Sequence, residues 1–290
     1  MRVCERLKST RPCYSFEFFP PRDDVALDGL YQTIAELSIL EPGFVSVTYG
    51  AGGQTRDRTL DVVTRIKRTF GLEAMAHLTC VGHTVEELAQ ILDDLAADGL
   101  ENVLALRGDP PPGQSYAPTP GGFAYANDLV AFIKQRGYKF CVGGACYPEG
   151  HIEAASRQQD LDHLKRKVDA GAEFLICQLF FDNAFYFDFV ERARAAGITV
   201  PIVPGIMPVT NLEQLERFTR MCGATVPMRL RLGLERCHDA VSIRTLGVAH
   251  ATVQCMELLN RGVRAIHFFT LNKSPASRLI VSALKGVFWE

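Results

Sequence analysis

The sequence predicts an α/β fold of the (β/α)8 TIM-barrel class, with an extra helical segment before the last strand. Three observations predict it: the 290 residues contain eight short β-rich apolar runs, helix-period segments alternate with them, and no linker interrupts the series. Strands that alternate with helices form a parallel sheet through right-handed crossovers, and eight such units close a barrel of about 250 residues. We therefore expect one domain over residues 1–290, with an open doubly wound sheet as the alternative.

The predicted strands are apolar runs rich in β-branched and aromatic residues, as buried parallel strands are. They cover residues 14–19, 44–48, 74–80, 102–106, 140–147, 174–180, 200–205 and 265–270. The predicted helices have apolar residues at helical spacing and cover residues 26–40, 58–70, 85–97, 127–135, 160–170, 184–195 and 212–221. Residues 108–125 form a long Pro- and Gly-rich loop, which is typical of a functional segment. A long helix near residues 238–260 precedes the last strand.

The composition is that of a globular protein, with 47% apolar residues, 22% charged residues and a formal net charge of −2. A nucleic-acid-binding surface should be more basic, and no apolar run reaches the ~18 residues that a membrane-spanning helix needs, so we expect neither partner. The amino-terminal sequence MRVCERLKST lacks the apolar core of a secretion signal, and nine scattered cysteines without a C-x-x-C pair are typical of reduced thiols. We therefore expect a cytoplasmic protein. Paired metal-ligand spacing is absent, so no metal is predicted.

Polar residues recur at the ends of the predicted strands. In a barrel of this class, the carboxyl ends of the strands and the loops that follow them form the active site. These positions carry Glu17, Thr48, Tyr49, His77, Thr79, Arg107, Gly108, Asp109, Tyr147, Gln178, Thr270, Asn272 and Lys273. One polar residue near a strand end is ordinary, but the recurrence indicates a site.

Glu17 is the most distinctive single candidate, because it stands among Phe16, Phe18 and Phe19 in the sequence. A carboxyl group in apolar surroundings loses hydration, which favours its protonated form. Such a group can donate a proton near neutral pH. The alternative is that Glu17 points into water or pairs with an arginine.

The other candidates each have a structural alternative. Asp109 opens the long loop before a proline, so it is either a turn former or a site residue. His77 is also compatible with a satisfied core histidine. Arg166 and Lys167 fit a solvated helix face or, if they point to the rim, a phosphate site. Phe218 has the helical spacing of a core residue.

The glycine-rich segment YGAGGQT does not match the dinucleotide motif G-x-G-x-x-G, and the sequence lacks the G-x-x-x-x-G-K-[ST] motif. Any dinucleotide must therefore be held in another way. Without an acidic residue or an arginine in such a motif, the sequence does not separate NADH from NADPH.

The sequence contains, in this order, SFEFFPPR, FVSVTYGAGG followed by RDRT, HLTC, LRGDPP, YPEGH, LKRKVDAGAEFLICQLFFD, PGIMPV and HFFTLN. Together these motifs closely resemble the flavin-dependent methylenetetrahydrofolate reductases. The resemblance implies FAD bound noncovalently at the carboxyl-terminal rim of the barrel. It also implies a ping-pong reaction, in which NADH or NADPH reduces the flavin and leaves before methylenetetrahydrofolate enters and is reduced to methyltetrahydrofolate. A homo-oligomer and a place in one-carbon and methionine metabolism are further implications.

The resemblance also implies roles for individual residues. Glu17 would be the general acid that protonates a folate nitrogen and opens the five-membered ring to an iminium ion. Asp109 would bind the pterin and oppose accumulation of an anionic reduced flavin. The positions implied to bind the cofactor are Thr48, Tyr49, His77, Arg107, Gly108, Asp109, Tyr125, Ala126, Tyr147, His151, Ala154, Asp160, His163, Arg166 and Lys167. Those implied to bind substrate are Glu17, Asp109, Gln178, Gln214, Phe218 and Lys273.

Three positions depart from the enterobacterial form of the pattern: Phe269 replaces a tyrosine, Lys273 an arginine and His163 an asparagine. Lysine keeps the positive charge but loses the planar fork of arginine. Two other interpretations stay open, namely a different flavin-dependent barrel oxidoreductase, such as a proline dehydrogenase-like enzyme, and an inactive barrel that serves as a binding partner. A Schiff-base aldolase is disfavoured because Lys273 is the single lysine near a predicted strand end.

Overall fold

The computed structural model describes residues 1–21, 23–49, 56–110 and 113–288. Eight parallel strands close into a barrel in chain order, and the first strand pairs with both the second and the last. The strands are β1 (Cys13–Phe18), β2 (Phe44–Val47), β3 (Ala74–Thr79), β4 (Asn102–Leu106), β5 (Cys141–Cys146), β6 (Phe174–Leu179), β7 (Ile202–Ile206) and β8 (Ala265–Phe269). The predicted barrel is confirmed, and the open doubly wound sheet is excluded.

Helices alternate with these strands and form the outer layer. They are α1 (Val3–Arg6), α2 (Asp24–Ser38), α3 (Arg56–Phe70), α4 (Val85–Ala97), α5 (Ala126–Gln135), α6 (Arg157–Asp169), α7 (Asn183–Ala195), α8 (Leu212–Cys222), α9 (Met228–Glu235), α10 (Ala240–Asn260) and α11 (Pro275–Phe288). Both α9 and α10 follow α8 before β8 begins, which confirms the extra helical segment. Within the described ranges, none of the helices combines the length and the apolar character that a membrane span requires.

Alternation along β1 separates its apolar residues from its polar ones. Successive side chains of a strand point to opposite faces of the sheet. Phe16 and Phe18 belong to the core between the sheet and the helices. Cys13 packs instead with the side chains inside the barrel. Ser15 and Glu17 follow Cys13 on that interior face.

The amino-terminal helix α1 covers the amino-terminal end of the barrel. Val3 and Leu7 pack against interior side chains such as Phe44 and Phe174. The backbone N–H of Val3 donates to Oδ1 of Asn102 at 2.7 Å. Apolar side chains and Asn102 thus close this end of the barrel.

Two glycines on β5 make room for neighbouring side chains. A Cβ atom on Gly143 would lie 2.4 Å from the ring of Phe174, and one on Gly144 would lie 2.6 Å from the side chain of Lys167. The absent side chain at Gly144 therefore lets the aliphatic part of Lys167 lie against the strand. Its ammonium group reaches the carbonyl of Ala145 at 2.7 Å, near the end of β5.

Candidate active site

Glu17 lies inside the barrel near the carboxyl-terminal rim, and 18% of its side chain is exposed. Its Oε2 atom is 3.3 Å from Nε2 of His267 on β8 and 3.5 Å from Nε2 of His77 on β3. The expectation that phenylalanines surround the carboxyl group is wrong, because alternation turns Phe16 and Phe18 towards the helices. Within the described ranges, the titratable groups that act on the Glu17 carboxyl group are these two histidines.

Opposing influences act on the Glu17 carboxyl group. Burial raises its pKa, whereas the hydrogen bond from His267 and the electrostatic influence of the two neighbouring imidazoles lower it, and the net pKa lies below the ordinary value. The expected upward shift is therefore wrong. Burial also lowers the pKa of His77 to about 4, so this imidazole is uncharged near neutral pH. The hydrogen bond from His267 is then the main influence that favours the ionised form of Glu17.

The carboxyl-terminal ends of β1 and β8 are tied together beside Glu17. The hydroxyl of Thr270 donates to the carbonyl oxygen of Glu17 at 2.6 Å. The side chain of Asn272 accepts from the backbone N–H of Phe19 at 3.0 Å and donates to its carbonyl at 2.8 Å. Asn272 has a φ of 56°, a left-handed conformation that asparagine tolerates better than most residues. These bonds fix the rim on the side of the barrel that carries Glu17.

The sequence analysis used the motif HFFTLN for the family resemblance but did not identify His267 as a site residue. The available signal was the period of two within β8, which places His267 and Phe269 on the same face of the sheet. The pairing of His267 with Ser15, a residue 252 positions away, is a long-range contact that the motif itself does not contain.

A second polar group lies after β5 and at the start of α6. The rings of Tyr147 and His151 are in edge contact, with centroids 4.6 Å apart. Asp109 and Asp160 both interact electrostatically with these two residues. Burial raises the pKa of Tyr147 and of Asp160 and lowers that of His151. The group is therefore partly withdrawn from water, as binding sites often are.

Lys167 reaches the same group from α6. It is half-buried, its charge acts on Asp160, and burial lowers its pKa. The solvated-face alternative therefore does not hold for Lys167. Arg166 precedes it on the same helix and is exposed.

Arg107 connects the long loop after β4 to the segment after β5 through its side-chain contacts. Both terminal nitrogens of its guanidinium group bind Glu153, with Nη2 at 3.0 Å from Oε1. The guanidinium carbon lies 4.3 Å from the centroid of the Tyr116 ring, and the Tyr116 hydroxyl donates to the carbonyl of Ala124. The hydrogen bond between the two side chains raises the pKa of Arg107 and lowers that of Glu153. Sequence reasoning named neither Glu153 nor Tyr116, because only the folded loop brings them to Arg107.

The remaining predicted residues differ in burial. Tyr49 and Ala126 are buried, and the half-buried ones are Thr48, Ala154, Gln178, Gln214 and Phe218, while Tyr125, His163 and Lys273 are exposed. Phe218 packs beside the apolar cluster over the ends of β6 to β8, so core packing accounts for part of its contacts. In the described part of the chain, no hydrogen bond or ion pair joins the side chains of Arg166, Gln214 or Lys273 to Glu17 or to the group around Tyr147.

The donor set at this rim fits FAD, the cofactor that the resemblance implies. Nε2 of buried His77 makes no hydrogen bond to the described residues. Gly108 has a φ of 86°, and a Cβ there would lie 2.9 Å from Cβ of Thr79. The positive φ and this close contact both require glycine at the turn after β4. Lys167 supplies positive charge that a diphosphate needs. The glycine-rich segment 50–55 lies outside the described residues.

The opposite end of the barrel carries other features. Two surface cavities of about 340 and 420 Å³ open there, and neither is lined by a predicted site residue. Ligand atoms of Cys4, Cys141 and Glu173 lie within 4.8 Å of one another. The Glu173 carboxylate is already paired with Arg2 and Lys134. We place the candidate site at the carboxyl-terminal rim, because ionisable side chains with shifted pKa values converge there.

The chain is similar in sequence to one family over nearly its whole length. A family model described as methylenetetrahydrofolate reductase matches residues 2–285. The 5,10-methylenetetrahydrofolate reductase of Salmonella typhimurium is 44% identical over 271 residues, which cover 93% of this chain and 90% of that protein. The methylenetetrahydrofolate reductase (NADH) 1 of Arabidopsis thaliana is 39% identical over 288 residues, which cover 94% of this chain and 49% of that protein.

The chain thus spans about half the length of such plant relatives and nine-tenths of the bacterial one. Among solved structures, an uncharacterized protein from Clostridium thermocellum that binds two copies of 5-methyl-5,6,7,8-tetrahydrofolic acid matches with a TM-score of 0.67. The match covers 99% of this chain and 100% of that chain at 15% identity, and it shows a likeness of fold.

Proposed function

Because the chain belongs to the methylenetetrahydrofolate reductase family, we propose that it reduces methylenetetrahydrofolate to methyltetrahydrofolate with bound FAD and NADH or NADPH. The observation that carries the proposal is a buried carboxyl group, Glu17, at the carboxyl-terminal rim between two imidazoles. When bound, FAD supplies the hydride transfer from the nicotinamide to the bridging carbon of the folate. The chain itself must supply binding, orientation and a proton.

Glu17 supplies that proton. Its carboxyl O–H protonates a nitrogen of the folate five-membered ring, the bond from this nitrogen to the bridging carbon breaks, and the carbon becomes an iminium carbon that accepts hydride. The net pKa of Glu17 lies below the ordinary value, although burial raises it. A substrate that excludes water from the rim strengthens the influence of burial. Substrate binding therefore favours the protonated form that the reaction needs.

The other rim residues bind and orient. The flavin would be contacted by Thr48, Tyr49, His77, Arg107, Gly108 and Tyr147. The adenosine diphosphate end would be held by Tyr125, Ala126, His151, Ala154, Asp160, His163, Arg166 and Lys167. Asp109 would face the pterin. Gln178 and Phe218 would line one face that the nicotinamide and the folate use in turn, which gives ping-pong kinetics, and Gln214 and Lys273 would contact the folate.

We further propose a cytoplasmic homo-oligomer that comprises the whole of residues 1–290 as one FAD-binding domain and acts in one-carbon and methionine metabolism. All nine cysteines are free thiols, which accords with a reducing compartment. Measurement of the molar mass in solution tests the oligomeric state.

The experiment separates the two half-reactions. Purified protein is reconstituted with FAD under anaerobic conditions, NADH or NADPH is added, and bleaching of the flavin absorption is followed. Methylenetetrahydrofolate is then added and reoxidation is recorded. Glu17→Gln should bind FAD and be bleached at the wild-type rate, whereas its reoxidation by folate should slow by at least about 100-fold, the usual contribution of a general acid.

The matched control is Glu216→Gln, the same change at an exposed position of α8; it should behave as the wild type. Reoxidation of Glu17→Gln near the wild-type rate contradicts the assigned acid. A wild-type protein that cannot bind FAD contradicts the flavoenzyme. If the bleached wild type is not reoxidised by folate, a different flavin-dependent oxidoreductase is favoured.

A further inference from the structure

Polar contacts at both ring nitrogens and aromatic contacts with its ring hold the side chain of His267 in place. Its Nδ1 atom is 2.7 Å from Oγ of Ser15, its register partner on β1, and its Nε2 atom is 3.3 Å from Oε2 of Glu17. The ring stacks on Phe44, with centroids 6.0 Å apart and an interplanar angle of 13°, and Phe269 contacts it edge-on at 5.5 Å. The side chain of His267 is 0% exposed. The imidazole therefore has one orientation, and that orientation directs Nε2 at the candidate acid.

We propose that His267, held by Ser15, is a positioning residue that orients the carboxyl group of Glu17 in the barrel mouth and controls when this group carries a proton. The inference rests on the proposed function, in which Glu17 is the general acid. The resemblance and the named relatives assign no role to Ser15 or His267.

Ser15 and His267 together form an array that can make hydrogen bonds with both the ionised and the protonated form of Glu17. When Glu17 is ionised, Nε2–H of His267 donates to the carboxylate, and Nδ1 accepts from the Ser15 hydroxyl. When Glu17 is protonated, its O–H donates to Nε2, and Nδ1–H donates to Oγ of Ser15. The second form holds one proton more than the first, and the imidazole carries the same number of protons in both. A hydroxyl group suits this arrangement, because it both donates and accepts.

The other groups that face Glu17 do not duplicate this contact. His77, on β3, is the second titratable group that acts on the carboxyl group within the described ranges, at 3.5 Å from Oε2. Its Nε2 atom makes no hydrogen bond to the described residues. Ser46, the register partner of Glu17 on β2, is uncharged, and its hydroxyl likewise bonds none of the described groups. His267 is thus the hydrogen-bonding partner of the carboxyl group.

The test compares two substitutions of His267. His267→Asn keeps an amide near the position of Nδ1, next to Ser15, but leaves nothing to bond Glu17. His267→Gln places an amide nitrogen near the position of Nε2. Because loss of a donor to the carboxylate favours its protonated form, the pH at which folate-dependent reoxidation falls should rise by about one unit in His267→Asn. His267→Gln should restore most of the wild-type profile.

The matched control is His250→Gln, which alters a half-buried histidine on α10 whose Nε2 atom lies 3.0 Å from the carbonyl oxygen of Phe181. A merely structural effect would lower the rate in His267→Asn at every pH without moving the profile, and this result would overturn the proposal. The bleaching by NADH or NADPH serves as an internal reference in each variant.

A second measurement needs no turnover. The ionisation of Glu17 is followed by NMR in protein labelled with 13C-glutamate, and the signal is assigned by its loss in Glu17→Gln. The midpoint should rise by about one pH unit in His267→Asn, and in the same direction but by less in Ser15→Ala, which serves if His267→Asn fails to fold. Unchanged midpoints overturn the proposal even where folate is reduced. A shifted midpoint in a protein that does not reduce folate supports the array and rejects the proposed function.

Discussion

The burial of His77 predicts a specific loss of stability in mild acid. Burial lowers the pKa of His77 from 6.5 to about 4 in the folded protein, whereas the unfolded chain keeps the ordinary value. Between these values the unfolded state binds more protons than the folded state, so the free energy of unfolding falls as the pH falls. The slope from one such group is about 1.4 kcal/mol per pH unit. The slope reaches this value only well below pH 6.5, so the loss from pH 7.5 to pH 5 is about 2 kcal/mol.

His77→Gln removes this group and should remove this part of the pH dependence. The assay is urea unfolding at several pH values between 5 and 7.5, with flavin-free protein so that ligand binding adds nothing to the stability. The window ends above 4.5, the ordinary pKa of Glu17, so this carboxyl group contributes little. The difference in unfolding free energy between wild type and His77→Gln should change by about 2 kcal/mol across the window.

Exposed His238→Gln is the control, because it removes an imidazole from a solvent-facing position. Its stability should stay parallel to that of the wild type at every pH. If the curves of wild type and His77→Gln are also parallel between pH 6.5 and pH 5, the reasoning about the buried imidazole is refuted.

Two further predictions follow from packing and charge. Gly143→Ala should cost about 1–3 kcal/mol in thermal unfolding, because the new Cβ would lie 2.4 Å from the Phe174 ring. The same change at Gly29, which has open space on exposed α2, should stabilise by about 0.5–1 kcal/mol, and equal effects would contradict the packing argument. Arg107→Lys loses the bidentate pair with Glu153 and should weaken FAD binding about tenfold in a fluorescence titration, whereas unchanged affinity would contradict the assigned contact.

The barrel could be predicted from the sequence because each strand is a distinct apolar run. The predicted strand ends agree with the structure within two residues. β7 starts later than expected, at Ile202 rather than residue 200, because Pro201 has no N–H for a ladder bond. The short helices α1 and α9 were not predicted, since α1 has four residues and α9 has no polar N-cap. α11 was also not predicted, because it follows the last strand and no further apolar run comes after it.

The candidate site could be predicted in outline, but its electrostatics could not. The strand-end rule located Glu17 and His77, and the structure brings them within 3.5 Å of each other. The sequence neighbours of Glu17 were the wrong guide to its environment, because residues next to each other in a strand face opposite sides. Its actual neighbours come from β3 and β8. Contacts of such sequence separation depend on the closed sheet, and so does the lowered pKa of Glu17.

The bonds of Thr270 and Asn272 to β1 have a consequence for synthesis of the chain. Glu17 leaves the ribosome 250 residues before His267, so the strand that completes its surroundings is made much later. Until β8 docks, β1 has an unpaired edge, which is a state prone to aggregation or to capture by chaperones. A nascent chain that stops before β8 therefore has Glu17 without His267, so the carboxyl group acquires this hydrogen-bonding partner only when β1 and β8 meet.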